Sequence, residues 1–294
     1  MPLIVAKGLP AIVPLTSEGI EFSDDLPRCS KYLKVLILNL MPTKEDTERQ
    51  LLRLLGDTEV PIQVEFIYLT SRESKNVTKK HLEEFYKTFP QIKDQHFDGL
   101  VITGAPVEHL SFEEVAYNEE LKEILQWSQQ HAAYRFFICW GAQFALNYYY
   151  QIEKKKLPQK LFGVFEYQIQ NKQHPYLKGF PEQYTVPQSR HTRIDYQELC
   201  KIDDLQVLSC HQEYGPDMIV KNDKRDLFVF GHLEYERDTL QNEYNRDIAK
   251  GEDISMPENY YCDEKTKMDP ILNWRCSSRL LWSNWIKELY QKKG

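Results

Sequence analysis

The chain has 294 residues and a formal net charge of −7, so it lacks the overall basic footprint of a nucleic-acid binder. It is 41% hydrophobic, with 18 Tyr, 14 Phe and 5 Trp, which argues for a packed fold over a disordered chain. No apolar run reaches the length of a membrane span. The start, MPLIVAKGLPAIVPL, lacks the basic region, long apolar stretch and cleavage site of a secretory signal. The expectation is a cytoplasmic protein with small-molecule partners and no membrane or nucleic-acid partner.

Residues 1–33 contain several prolines and read as an irregular arm packed on the body, which spans 34–294 as a single α/β domain. Lys34–Leu40 is a buried-strand pattern, followed by a helical stripe from Thr43 to Leu55 that Gly56 ends. Gln63–Leu69 alternates as a half-buried strand, and His81–Phe89 reads as a helix. Gly99–Thr103 is a buried strand with the turn Gly104-Ala105-Pro106 behind it. Ser111 and Glu114 have capping-box spacing and predict a helix running to His131. Tyr134–Ile138 is another buried strand, with Cys139 at its end and a helix over Gly141–Tyr150. Strands alternating with helices of this length predict a mostly parallel sheet covered by helices on both faces. Further strands are expected at Phe165–Ile169, Gln206–Cys210, Asp217–Val220 and Leu227–Phe230, with the charged stretch 221–226 as a solvated turn. Helices near Asp238–Lys250 and Pro270–Tyr290 close the chain. The last one carries Leu272, Leu280, Leu281, Trp285, Ile286 and Leu289 as a core-facing stripe.

The six cysteines (Cys29, Cys139, Cys200, Cys210, Cys262 and Cys276) include no C-x-x-C pair, and the eight histidines form no H-E-x-x-H or H-x-H. No metal site and no resident cofactor is expected. The strongest chemical signal is FFICWGAQFAL, residues 136–146. An apolar strand runs into Cys139, and the small residues Gly141 and Ala142 let the backbone turn sharply into a helix, which is the pattern of a nucleophile elbow. A thiol at a helix N-terminus favours its thiolate form. The alternative is a buried structural thiol. A nucleophilic cysteine needs a base and an orienting group. His232 follows the apolar strand LFVFG, and Glu234, two residues on, faces the same side of an extended chain. The pair is either the rest of a triad or an exposed strand end. For the oxyanion, the backbone N–H of Trp140 and of the Gly104-Ala105 turn are candidate donors, because turns at the ends of adjacent parallel strands converge.

Longer segments carry a resemblance. LKVLILNLMP (33–42), TERQLLRLLGDT (47–58), SRESKN (71–76), FDGLVITGAPVE (97–108), ICWGAQ (138–143), KLFGVFE (160–166), SRHT (189–192), GHLEY (231–235) and WSNW (282–285) resemble the homoserine O-acyltransferase family. The resemblance covers nearly the whole chain. It implies a flavodoxin-like α/β fold of the class I glutamine amidotransferase type, with added strands and C-terminal helices, and a homodimer. It implies Cys139 as acyl carrier, His232 as base, Glu234 as its partner, and three substrate-binding residues: Lys160 at the active site, Ser189 near the bound acceptor and Arg246 on the acceptor's carboxylate. A guanidinium suits a carboxylate because the two can pair through two parallel hydrogen bonds. Glu108 stands at the position that distinguishes acyl donors in the family. A glutamate there fills space and repels a succinyl carboxylate, so acetyl-CoA is the expected co-substrate and L-homoserine the acceptor. Leu233, Gln188, Arg193 and Phe144 depart from the family pattern. They open the alternative of L-serine as acceptor, since one methylene changes discrimination by only about 1–3 kcal/mol. A succinyl donor and a glutamine amidotransferase, which C-x-G-x-Q also suits, are further alternatives.

Overall fold

The computed structural model describes residues 2–26, 31–71, 78–263 and 268–293. The SRESKN motif lies beyond Ser71 outside the described residues, as does Cys29. In chain order the first elements are β1 (Leu3–Ile4), α1 (Ile12–Ser17), β2 (Leu33–Leu38), α2 (Lys44–Gly56) and β3 (Ile62–Tyr68). There follow α3 (Lys79–Phe85), β4 (Tyr86–Thr88), α4 (Phe89–Ile92), β5 (Phe97–Ile102), α5 (Asn118–His131), β6 (Ala132–Ile138) and α6 (Trp140–Tyr150). The second half holds β7 (Lys154–Ile169), β8 (Gln183–Ile194), α7 (Tyr196–Leu199), β9 (Leu205–His211), β10 (Gly215–Lys221) and β11 (Asp226–Val229). The chain closes with α8 (Thr239–Ala249), β12 (Tyr261–Asp263), β13 (Met268–Pro270) and α9 (Arg275–Lys292).

One sheet runs in the order β1-β3-β2-β5-β6-β11-β10-β9-β7-β8, with β4 beside β3. From β1 to β11 every pairing is parallel, and from β11 to β8 every pairing is antiparallel. The parallel half is apolar on both faces, as its sequence runs demand. Val35 and Ile37 of β2, and Phe136 and Ile138 of β6, join one core with the leucines of α2 and with Trp282 and Trp285 of α9. Leu36, Leu38 and Phe137, pointing the other way, join a second core with Leu121 and Leu125 of α5 and Phe144 of α6. Helices therefore cover both faces. Among the described residues no helix is long and apolar enough to cross a membrane.

Four expectations change. The 1–33 segment is not wholly irregular: β1 adds to the sheet edge beside β3, α1 packs behind it, and Leu33 already belongs to β2. The helix expected over 81–89 stops at Phe85, because Pro90 has no N–H to continue the ladder. The chain restarts as α4, with Thr88 N–H donating to Gln91 Oε1 at 2.7 Å. Ser111 N–H does donate to Glu114 (2.8 Å), but α5 begins only at Asn118. Phe112, Val115 and Tyr117 are all buried and draw that stretch onto the core as turns instead. Within the charged stretch 221–226 only 222–225 form the turn: Lys221 ends β10, and Asp226 opens β11 and is buried in an ion pair with Arg135 of β6.

Candidate functional site

β5, β6 and β11 lie side by side and parallel, so the turns after them meet at one sheet edge. Cys139 occupies the turn after β6 with φ 50 and ψ −117, a left-handed conformation that a side-chain-bearing residue adopts at a cost of about 1–3 kcal/mol. Two backbone bonds hold it there: Cys139 N–H donates to Val229 O (2.7 Å), and Gln143 N–H donates to Cys139 O (3.1 Å). Small residues permit the approach. A Cβ on Gly141 would stand 2.6 Å from Thr103 O, so only glycine lets α6 sit this close to the end of β5. A Cβ on Gly104 would stand 3.2 Å from Cys139 Cβ and 3.8 Å from its Sγ, so the bare Gly104 avoids crowding the Cys139 side chain.

His232 and Glu234 follow β11. His232 Nδ1 bonds Glu234 Oε1 at 2.6 Å, and the imidazole and Cys139 both lie beside Gly104, where the Cys139 charge acts on the ring. Cys139 is 4% exposed and His232 3% exposed, so the reading of an exposed strand end does not hold. Burial alone would push the His232 pKa down, but the charges of Glu234 and Cys139 outweigh it and hold the imidazole well above its ordinary value. The ring of Tyr235 stacks on that of His232, with centroids 4.2 Å apart. The N–H of Trp140 belongs to the first turn of α6, where a helix leaves its donors unpaired, and Ala105 is buried in the neighbouring turn.

Lys160, Ser189 and Arg246 come together from β7, β8 and α8. Residues 157–160 of β7 oppose the single residue 191 of β8, since the register passes from Lys156↔Thr192 to Leu161↔Arg190. That irregularity aims Lys160 at α8, where its Nζ lies 3.3 Å from Asp247 Oδ2. Arg246 Nε donates to the other oxygen of Asp247 at 2.7 Å. Burial raises the proton affinity of Asp247, but the two cations outweigh it and hold the carboxyl below the usual range. Ser189 Oγ donates to Glu243 Oε2 (2.6 Å), and Tyr235 Oη donates to Glu243 Oε1 (2.6 Å). Neither Glu243 nor Tyr235 was singled out from sequence. The available signal was helical spacing, which puts Glu243 one turn before Arg246 on the same face.

Glu108 reaches this edge from the turn after β5. Its Oε2 accepts the His191 N–H at 3.0 Å, and Thr192 Oγ1 lies 3.4 Å from Oε1. Burial pushes the carboxyl pKa up against the pull of that N–H and of Arg190. Burial, with His109 and Lys160 adding, pushes His191 down to about 4. The departures from the family pattern sit elsewhere. Phe144 is core, packed against Phe112 and Trp140. Gln188 is buried, donating to Asp217 (2.9 Å) and accepting from Arg190 (2.9 Å). Arg193 donates to Glu213 O, and Leu233 is buried. Phe144 thus packs into the core beneath the elbow.

A mostly parallel sheet covered by helices on both faces, with its turns gathered at one edge, is an α/β fold of the class I glutamine amidotransferase type. The chain is similar in structure to a glutamine amidotransferase from Thermotoga maritima, with TM-score 0.57, 13% identity, and 89% of this chain and 100% of that chain covered. A glutamine amidotransferase from Methylobacillus flagellatus gives TM-score 0.53 at 12% identity, covering 90% of this chain and 97% of that one. Such low identities bear on fold alone. Sequence goes further. Residues 2–294 match the family described as homoserine O-succinyltransferase. The chain is 45% identical over 289 residues to "Homoserine O-acetyltransferase" of Clostridium novyi (strain NT), covering 97% of this chain and 96% of that protein. It is 42% identical over 293 residues to "Homoserine O-acetyltransferase 1" of Ilyobacter polytropus, with the same coverage. The chain belongs to the homoserine O-succinyltransferase family, a family of acyltransferases.

Proposed function

We propose that the protein transfers an acetyl group from acetyl-CoA to the hydroxyl of L-homoserine through an acetyl-Cys139 intermediate. The observation that carries this reading is the elbow thiol of Cys139 held against the buried His232–Glu234 pair. The thiolate of Cys139 attacks the acetyl carbonyl, the carbon–sulfur bond to coenzyme A breaks, and coenzyme A leaves as a thiol with the proton of His232. The exchange is one thioester for another and so nearly balanced. Neutral His232 then removes the hydroxyl proton of the acceptor, whose oxygen attacks the acetyl-Cys139 carbonyl and regenerates the thiolate. Trp140 and Ala105 N–H groups stabilise each tetrahedral oxyanion. Burial of the reacting groups keeps water from the intermediate.

The acceptor site is built for a zwitterion. Arg246 and Lys160 lie beside one another and share Asp247, so an incoming carboxylate can take one of two cations without leaving the other unpaired. Glu243, one helical turn away on α8 and bonded to Ser189, offers a buried carboxylate to an ammonium group. Phe144, Gln188 and Arg193 make their contacts with groups other than Lys160, Glu243 and Arg246, and the relatives named above act on homoserine by name. Serine is accordingly the control acceptor. Mixing the protein with acetyl-CoA and following thiol release should show turnover with L-homoserine well above that with L-serine. Preference for serine would overturn the acceptor assignment. A cytoplasmic homodimer without a resident cofactor completes the proposal.

Glu108 gives the donor. It stands in the turn after β5, within electrostatic reach of His232, and its side chain is tied down by β8. A succinyl carboxylate placed there would meet both its bulk and its charge. Glu108→Gly should raise kcat/KM for succinyl-CoA by about 10–100-fold relative to acetyl-CoA. An unchanged ratio in steady-state kinetics would remove the basis for the acetyl assignment.

A further inference from the structure

Lys154 is the first residue of β7, yet its side chain reaches back to the turn after β5. Its Nζ donates to Glu108 O at 2.8 Å and to Leu110 O at 2.7 Å, and it stands 4.8 Å over the ring of Phe112. One ammonium thus bridges two carbonyls and one aromatic face within a five-residue stretch. Carbonyls in a turn have no ladder partners of their own, so a fixed cation there defines the path of the backbone. The Glu108 side chain is held separately by the His191 N–H. Lys154 pairs with Ile194, and His191 lies three residues before it, so both grips come from one β7–β8 hairpin. The hairpin is itself tied to the helix of the nucleophile: Thr192 Oγ1 donates to Gln143 Oε1 (2.7 Å), and Gln143 Nε2 donates to Thr192 O (3.3 Å). A closed chain of contacts therefore runs from α6 through Gln143 and Thr192 to the hairpin, and from the hairpin to the backbone and side chain of Glu108.

We propose that Lys154 is a positioning residue for acyl-donor selection: by bridging the carbonyls of Glu108 and Leu110 it holds the 104–112 turn so that the Glu108 side chain closes the acyl pocket to a dicarboxylic acyl group. This rests on the reading of Glu108 as the donor-discriminating residue. The physical need is clear. A turn whose carbonyls are solvated instead of bridged is freer to move, and an acetyl group differs from a succinyl group by a short chain that such a movement admits. Lys154 touches neither the thiol nor the acceptor groups described above, so it acts through Glu108. Its ammonium is also half sunk, and burial pushes its pKa down from the ordinary lysine value, as expected for a cation spent on carbonyl oxygens more than on water.

The test measures kcat/KM for acetyl-CoA and for succinyl-CoA, at saturating homoserine, in the wild type, Lys154→Met, Lys154→Arg and Glu108→Gly. The acetyl-to-succinyl ratio should fall at least about tenfold in Lys154→Met and recover in Lys154→Arg, whose guanidinium can span the same two carbonyls. Lys154→Gln, which stays polar at the surface, replaces the methionine variant if that one is poorly soluble. A ratio unchanged in the neutral variants, beside a fallen ratio in Glu108→Gly, overturns the role of Lys154 while leaving Glu108 in place. A KM raised equally for both acyl-CoAs at constant ratio also overturns it, and marks Lys154 as a contact to the phosphates of coenzyme A. If Glu108→Gly leaves the ratio unmoved, the donor reading fails first and this inference falls with it.

Discussion

Cys139→Ala should abolish acetyl transfer, lowering kcat by about 10⁴-fold or more, because the proposed reaction loses its covalent intermediate along with its nucleophile. The expected signature is specific. Mixed with acetyl-CoA and no acceptor, the wild type gains the mass of one acetyl group at Cys139, and the variant gains none. Removing His232 as well should add little, since members of one catalytic unit are not additive. The fold should survive the substitution, because alanine can replace the side chain without disturbing the two backbone bonds that hold residue 139 in its turn. The conformation at φ 50 is the same for both side chains, so any loss of activity reports on sulfur chemistry and not on strain. An acetylated Cys139→Ala protein, or transfer at the wild-type rate, would show that the thiol is a packed core group after all.

The parallel half of the fold was legible because its signals are local. Runs such as KVLILNL and FFIC are short, apolar and bounded, and the structure buries them on both faces. The elbow was legible for the same reason: strand, cysteine, small residues and helix are contiguous. His232 and Glu234 could be paired by their spacing, but that they turn inward to Cys139 depends on β11 lying beside β6, a long-range pairing no local pattern states. β8 was missed altogether. Its TVPQSRHTRI sequence contains Pro187 and polar residues that argue against a buried strand, yet Gln188, Arg190 and Thr192 are all buried. They are tolerated because each is satisfied. Arg190 donates to Gln188 and to Thr192 O, and Gln188 donates to Asp217, which in turn accepts Gly231 N–H. Such a network exists only once three distant segments are assembled, so its members look like surface residues in sequence. Glu243 and Asp247, which the proposed function places at the acceptor, were hidden in the same way. Each is an ordinary acid on an amphipathic helix until Ser189 and Lys160 are brought against it.

The second large effect is expected at Glu234. In Glu234→Gln the carboxylate that accepts from His232 Nδ1–H becomes an amide, which removes a charge and can present an N–H where an acceptor is needed. Turnover should fall by about 10²–10⁴-fold, the range for losing an acid–base pair or its tautomer control. The pH dependence separates this from a general loss of structure. His232 sits well above its ordinary pKa because Glu234 and Cys139 both favour its charged form. The two half-reactions feel that differently. Attack on acetyl-CoA uses the thiolate beside a protonated His232, so it tolerates pH values below the His232 pKa. Transfer to homoserine needs neutral His232, so it rises as pH climbs through that pKa. Once Cys139 is acetylated, its charge no longer supports the imidazolium, and the His232 pKa falls back toward the value Glu234 alone sustains. The acidic limb of kcat/KM for homoserine should therefore lie below the titration of His232 in the free enzyme. Removing the Glu234 charge removes the remaining support, so in Glu234→Gln that limb should move to still lower pH while its plateau drops. A limb that stays where it is in the wild type, measured by stopped-flow deacylation of the acetyl-enzyme across pH, would mean that Glu234 does not govern the proton on His232 and that its role is confined to packing.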